Sequence, residues 1–117
     1  MKMYNDVVTF IKACDQEQNG DNAKLYDKLI KEEFNEYQYA DNPTEELDAC
    51  MDMIWVILGY CYMRGYDVKG AWDEVARSNL AKIDPLSGKV LKREDGKVMK
   101  PEGWTPPDLS KFVGEGK

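Results

Sequence analysis

Apolar positions recur at helical spacing from residue 3 to residue 82. Val7, Phe10, Ile11 and Cys14 lie three and four apart and predict a first helix over 3–18. The polar run "QNGDN" breaks it, and a second amphipathic stretch runs from about Asn22 to about Ala40. "DNPTEE" then carries a helix-start signature. Asn42 is the N-cap, Pro43 takes the first helical position and Glu45 completes a capping box. The third helix continues to about Arg64, before Gly65, and is apolar nearly all round after Asp52. Asp67 caps a fourth helix that ends near Lys82. From there the period changes. "KVLKREDGKVMK" reads as a hairpin about Asp95-Gly96, and "KPEGWTPPDLSKF" as an irregular, proline-rich strap. The expected architecture is an all-α four-helix bundle. Residues 1–83 form the helical part, and 84–117 form a hairpin and strap within the same domain.

Carboxylates disturb this pattern. On a wheel of about 100° per residue, Leu25, Tyr26, Leu29, Ile30, Phe34 and Tyr37 fill one side of the second helix. Lys24, Asp27, Lys28, Lys31, Asn35 and Gln38 fill the other. Glu33 and Glu36 fall inside the apolar arc, with Glu32 at its edge. Like charges three and four apart on a helix repel. A solvated polar face is the rival account, weakened because that face lies elsewhere and is already full. On the third helix Asp48 and Asp52 share a stripe with Trp55 and Gly59. Two carboxylate-bearing helices facing each other would make an oxygen-rich cage for a hard divalent cation, Mg²⁺ or in its place Mn²⁺. The rival account pairs Asp48 and Asp52 with Lys or Arg from another helix.

Composition narrows the chemistry. The 117 residues suit one domain, and the net charge of −6 opposes binding to nucleic acid or an anionic membrane. Histidine is absent, which removes imidazole acid–base catalysis and imidazole metal sites. Cys14, Cys50 and Cys61 lack metal-like spacing and read as reduced thiols of a cytoplasmic protein. Lys12 and Asp15 interrupt any leader-like start, and the apolar run Met53 to Met63 is too short to cross a bilayer. A helix apolar on every side in so short a chain implies a homo-oligomer, a dimer or a tetramer of two dimers.

The spacing Glu32-Glu33-x-x-Glu36, followed by the carboxylates of the next helix, resembles the EExxE…ExxD motifs of the MazG-like all-α nucleoside triphosphate pyrophosphohydrolases. Asp52 matches the final aspartate. The position three before it is Ala49, so Asp48 is the candidate fourth carboxylate. "RSNLAK" is similar to the N-x-x-K element that ends the family's last helix. The tail is similar to that of phage-type members, which would place the protein in a host cytoplasm. The resemblance implies Mg²⁺-dependent cleavage of an NTP or dNTP between the α- and β-phosphates. It implies Glu33, Glu36 and Asp52 as metal ligands, with Glu32 and Asp48 on a second ion. Glu32 or Glu33 would act as base. Asn79, Lys82, Lys28 and Lys31 would hold phosphates. For Lys82 the rival role is that of an ordinary cation near a helix C-terminus. Lys92, Arg93, Lys97 and Lys100 are either a lid or solubility charges. Asn5, Phe10, Trp55, Tyr60 and Trp104 are candidates for a base pocket. The abundance of large aromatic surfaces leans the substrate towards a purine, dGTP or GTP among them. The alternative is a helical module of the same fold that binds a partner or regulates without catalysis.

Overall fold

The computed structural model describes residues 1–114. Four helices follow in order: α1 (Lys2–Ala13), α2 (Gly20–Gln38), α3 (Pro43–Met63) and α4 (Val68–Leu80), with a short 3₁₀ turn at Ser110–Phe112. No strand forms among the described residues. The expected hairpin is present as two antiparallel bridges, Ile83 with Val90 and Lys92 with Val98. The three residues of the tail beyond 114, part of the expected 84–117 segment, lie outside the described residues.

Local chemistry sets the helix ends. Asn19 caps α2, its side-chain oxygen accepting from the Asn22 amide at 2.8 Å. Asn42 caps α3 by accepting from Glu45 N at 2.9 Å, and Glu45 reaches back to accept from Asp41 N at 3.0 Å. α3 stops where Gly65 turns to φ 72 and the Tyr66 amide donates to Cys61 O at 3.0 Å. α1 ends five residues short of the expected residue 18. Asp15 adopts φ 56, and the Gln16 amide donates to Ile11 O at 3.3 Å. The same C-terminal lock operates at both ends, but at the end of α1 an aspartate takes the position glycine usually holds.

The chain falls into two compact units, Met1–Val68 together with Val113 and Gly114, and Lys69–Phe112. In the first, α2 and α3 pack antiparallel, with α1 against α3. Val7, Ile11, Ala23, Tyr26, Val56 and Met63 form its buried core, and Leu29, Ile30 and Leu58 pack against it. Gly59 lets α2 and α3 come close, because a Cβ there would fall 2.6 Å from Cδ1 of Tyr26. Much apolar surface stays open. Leu25, Phe34 and Tyr37 of α2 and Leu47, Met51, Ile54 and Ile57 of α3 are all exposed. No helix among the described residues is long and apolar enough to cross a membrane.

In the second unit the tail is strapped onto α4. Trp104 Nε1 donates to Ser78 O at 2.6 Å, and the Asp108 amide donates to Glu74 Oε2 at 2.9 Å. Arg77 pairs with Glu74 at 2.8 Å and also donates to the carbonyls of Thr105 and Pro106. These bonds pull Glu74 well below the usual carboxylate range, to about 2, with the Arg77 hydrogen bond the largest cause.

Candidate metal centre

α2 and α3 bring three carboxylates together. Glu33 and Glu36 lie on adjoining turns of α2, and Asp52 faces them from α3. One oxygen from each lies within 4.8 Å of the others. Glu33 and Asp52 are half-buried and Glu36 is exposed. As a carboxylate, Glu33 has nothing to satisfy its inner oxygen. Oε2 is buried without a hydrogen-bond partner among the described residues. Such an orphan oxygen costs roughly 1–3 kcal/mol, and more when charged.

The electrostatics express the same crowding. Burial, then the proton-sharing contact with Glu36, then the charges of Glu36, Asp52 and Asp48 push Glu33 up to about 7. Asp52 is also raised, first by burial and then by Asp48 and Glu36. Proton uptake or a cation would relieve this repulsion. Three oxygen donors on two helices suit a hard divalent ion, with bonds of about 2.0–2.1 Å for Mg²⁺ and waters or phosphates completing the shell. The partnerless Glu33 oxygen and the all-oxygen donor set both fit that ion.

The other predicted residues distribute differently. Glu32 is exposed on α2 and stands outside the three-carboxylate cluster. Asp48 also stands outside it, and with Glu36, Asn35, Tyr39 and Ala49 it lines an open cleft of about 350 Å³. Ala49 itself is 2 % exposed, so the position where the motif expects a glutamate faces packing atoms. Trp55 is 37 % exposed, its ring edge-on to Phe10 at 5.7 Å. Lys28 is exposed. Lys31 holds a surface ion pair with Asp27 at 2.9 Å. In the second unit Lys82 donates to Asn79 Oδ1 at 3.1 Å, and Arg93 pairs with Asp95 at 2.6 Å inside the hairpin turn.

Two relationships escape a helical reading. The first is the close approach of Gly59 and Tyr26. A small residue on an otherwise bulky helix was its signal, though Gly59 reads just as well as part of the carboxylate stripe. The second is the seating of Lys82 and Lys100 on the Trp104 ring, at 5.2 and 4.9 Å from its centroid. Lys82 lies 22 residues before Trp104, and no periodicity links positions so far apart.

No curated protein matches the chain. Residues 9–79, more than half of it, match the family described as phosphoribosyl-ATP pyrophosphohydrolase. All three clustered carboxylates lie inside that span, and the tail lies outside it. The chain belongs to the phosphoribosyl-ATP pyrophosphohydrolase family, within the MazG-like all-α nucleoside triphosphate pyrophosphohydrolase superfamily.

Proposed function

We propose that this pyrophosphohydrolase cleaves a ribo- or deoxyribonucleoside triphosphate between the α- and β-phosphates, releasing the monophosphate and pyrophosphate. The convergence of Glu33, Glu36 and Asp52 around a buried, partnerless oxygen carries the reading. The family's enzymes are typically metal-dependent. Glu33, Glu36 and Asp52 would hold Mg²⁺, with Mn²⁺ as a substitute. Bound there, the ion would neutralise phosphate charge and polarise the reacting phosphoryl group. Glu32, next to the cluster and outside it, orients the attacking water and accepts its proton. The water oxygen bonds to the α-phosphorus, and the bridging oxygen leaves with pyrophosphate. Asn79 and Lys82 would supply an amide and an ammonium to the phosphates, and Lys28 would serve likewise. Asp48 tunes the field at the cluster. The exposed Phe10–Trp55 pair is a platform for the base. Arg93 and Lys31, already paired, are reserve cations at most. The open apolar faces of α2 and α3 are covered by a second copy, giving a homodimer or a dimer of dimers. The three free thiols suit a reducing cytoplasm.

The family's description favours one further reading, phosphoribosyl-ATP itself as substrate. It is a purine nucleotide with the same α–β linkage. A panel of NTPs, dNTPs and phosphoribosyl-ATP, each with Mg²⁺, tests both readings. Pyrophosphate release is expected from purine triphosphates, and its absence with every nucleotide would end the proposal.

A further inference from the structure

The first unit holds a second opening, at the far end of the α2–α3 pair from the carboxylates. Gln18, Gly20, Met63, Arg64 and Gly65 line a cavity of about 300 Å³. Twelve residues of α3 and its C-cap separate Asp52 from Arg64, roughly 18 Å of helix. The cavity is therefore no part of the three-carboxylate cluster. Met63 gives it an apolar, buried wall. Gly20 and Gly65 bring no side chain to fill the space, and a Cβ on Gly20 would meet nothing within 4 Å. Gln18 is committed, its Nε2 donating to Tyr62 O at 2.6 Å. The charged group of the lining is the half-buried Arg64.

Neutral groups hold Arg64 in place. Its Cζ stands over the Tyr60 ring at 6.0 Å and over the Tyr66 ring at 5.7 Å, and one N–H donates to the Tyr60 hydroxyl at 3.2 Å. The chain's other two arginines, Arg77 and Arg93, each pair with a carboxylate. Residues 1–68 carry fourteen Asp and Glu, yet none of them pairs with Arg64 among the described residues. A cation at the C-terminus of α3 is favourable in itself, but that effect asks only for charge, which lysine would supply. A guanidinium has five N–H donors in a planar fork. Set against two rings with donors to spare, it matches a carboxylate through two parallel hydrogen bonds. The acidic surroundings disfavour a multiply charged anion, and the Met63 wall suits a hydrocarbon body. The volume equals about ten waters at about 30 Å³ each, so the acid is small.

We propose that this cavity binds a small organic acid with a single carboxylate, Arg64 taking the carboxylate and Met63 the hydrocarbon. The site needs neither a metal nor a nucleotide, so it stands apart from the proposed reaction.

Isobutyrate is the probe. Its titration into the isotope-labelled full chain is followed by NMR through the amide signals of Gly20 and Gly65 and the side-chain Nε–H of Arg64. Isobutyramide and orthophosphate run in parallel. Saturable shifts of all three signals are expected with isobutyrate, and weaker binding with either of the others. Arg64→Gln should weaken isobutyrate binding by on the order of 10-fold or more. Arg64→Lys keeps the charge at the end of α3 and so the melting temperature, but it should lose affinity as well, because an ammonium offers no planar fork. No saturable shift at these signals in the wild type, or wild-type affinity in Arg64→Lys, overturns the proposal. Equal binding of isobutyramide also overturns it, since charge would then play no part. Tighter binding of orthophosphate overturns the assignment to a carboxylate.

Discussion

The ring of Tyr26 lies against the bare Cα of Gly59, and seven residues along each helix Glu33 meets Asp52. Because α2 and α3 run antiparallel, both steps lead the same way, about two helical turns or roughly 10 Å. The closest approach of the two backbones therefore sets the spacing at which the carboxylates converge. Tyr26 is 4 % exposed and its hydroxyl donates to Gln16 Oε1 at 2.8 Å, so the ring has no free space to move into.

Gly59→Ala should therefore destabilise the fold despite alanine's better helix propensity. The propensity gain is about 1 kcal/mol, and overpacking a core contact costs typically about 1–3 kcal/mol. The expected net loss is on the order of 1 kcal/mol, together with a weaker response of Tm to Mg²⁺, because the helices are wedged apart. Thermal melts with and without Mg²⁺ check both parts. A melting temperature equal to or above wild type would show that the ring yields.

Glu36→Gln should abolish activity while keeping or raising the melting temperature in metal-free buffer. The substitution removes one charge from a repelling cluster and preserves shape. Differential scanning calorimetry reads the effect. A lower metal-free Tm would indicate a structural ion pair in place of a cation site.

The pH dependence of the metal-free protein follows from Glu33. Its native value of about 7 lies above the ordinary 4.5. Between those values the native state binds more protons than the unfolded chain, so its contribution falls as pH rises. It is fully present below about 4.5 and lost as pH passes through about 7. Asp52, raised in the same direction, adds to the slope. Metal-free wild type should thus lose stability from pH 5 to pH 7.5 more steeply than Glu33→Gln, and Mg²⁺ should flatten the difference. Parallel slopes for the two proteins would contradict the assignment.

Asp48→Ala and Asp52→Ala should separate. Asp52 is one of the three converging carboxylates, whereas Asp48 acts on Glu33 and Asp52 through its charge. Asp52→Ala should remove the Mg²⁺ response of turnover. Asp48→Ala should shift the Mg²⁺ midpoint by a few-fold, as expected for a screened charge lost nearby. Equal and complete loss in both would place Asp48 among the ligands.

The three clustered carboxylates were visible in the sequence because Glu33 and Glu36 break the polar–apolar division of α2 and Asp52 does the same on α3. Glu32 and Asp48 share helical faces with those carboxylates yet stand outside their cluster, since helical spacing places residues on a shared face without fixing which side chains meet. The start of α3 was legible from Asn42, Pro43 and Glu45, whose side-chain chemistry is local. The end of α1 was not, because Asp15 turns into the left-handed region where glycine was the expected signal. The strap onto α4 was least visible. Its tie from Trp104 to Ser78 spans 26 residues and depends on tertiary placement alone.

The central proposal is a metal-dependent carboxylate cluster that drives cleavage between the α- and β-phosphates. Pyrophosphate release against Mg²⁺ concentration, in wild type and in Asp52→Asn on the preferred nucleotide, tests it most directly. Saturable Mg²⁺ dependence in the wild type, with pyrophosphate and monophosphate in equal amounts and release at least 10²-fold slower in Asp52→Asn, is the predicted result. Orthophosphate as product, or undiminished release from Asp52→Asn, would contradict it.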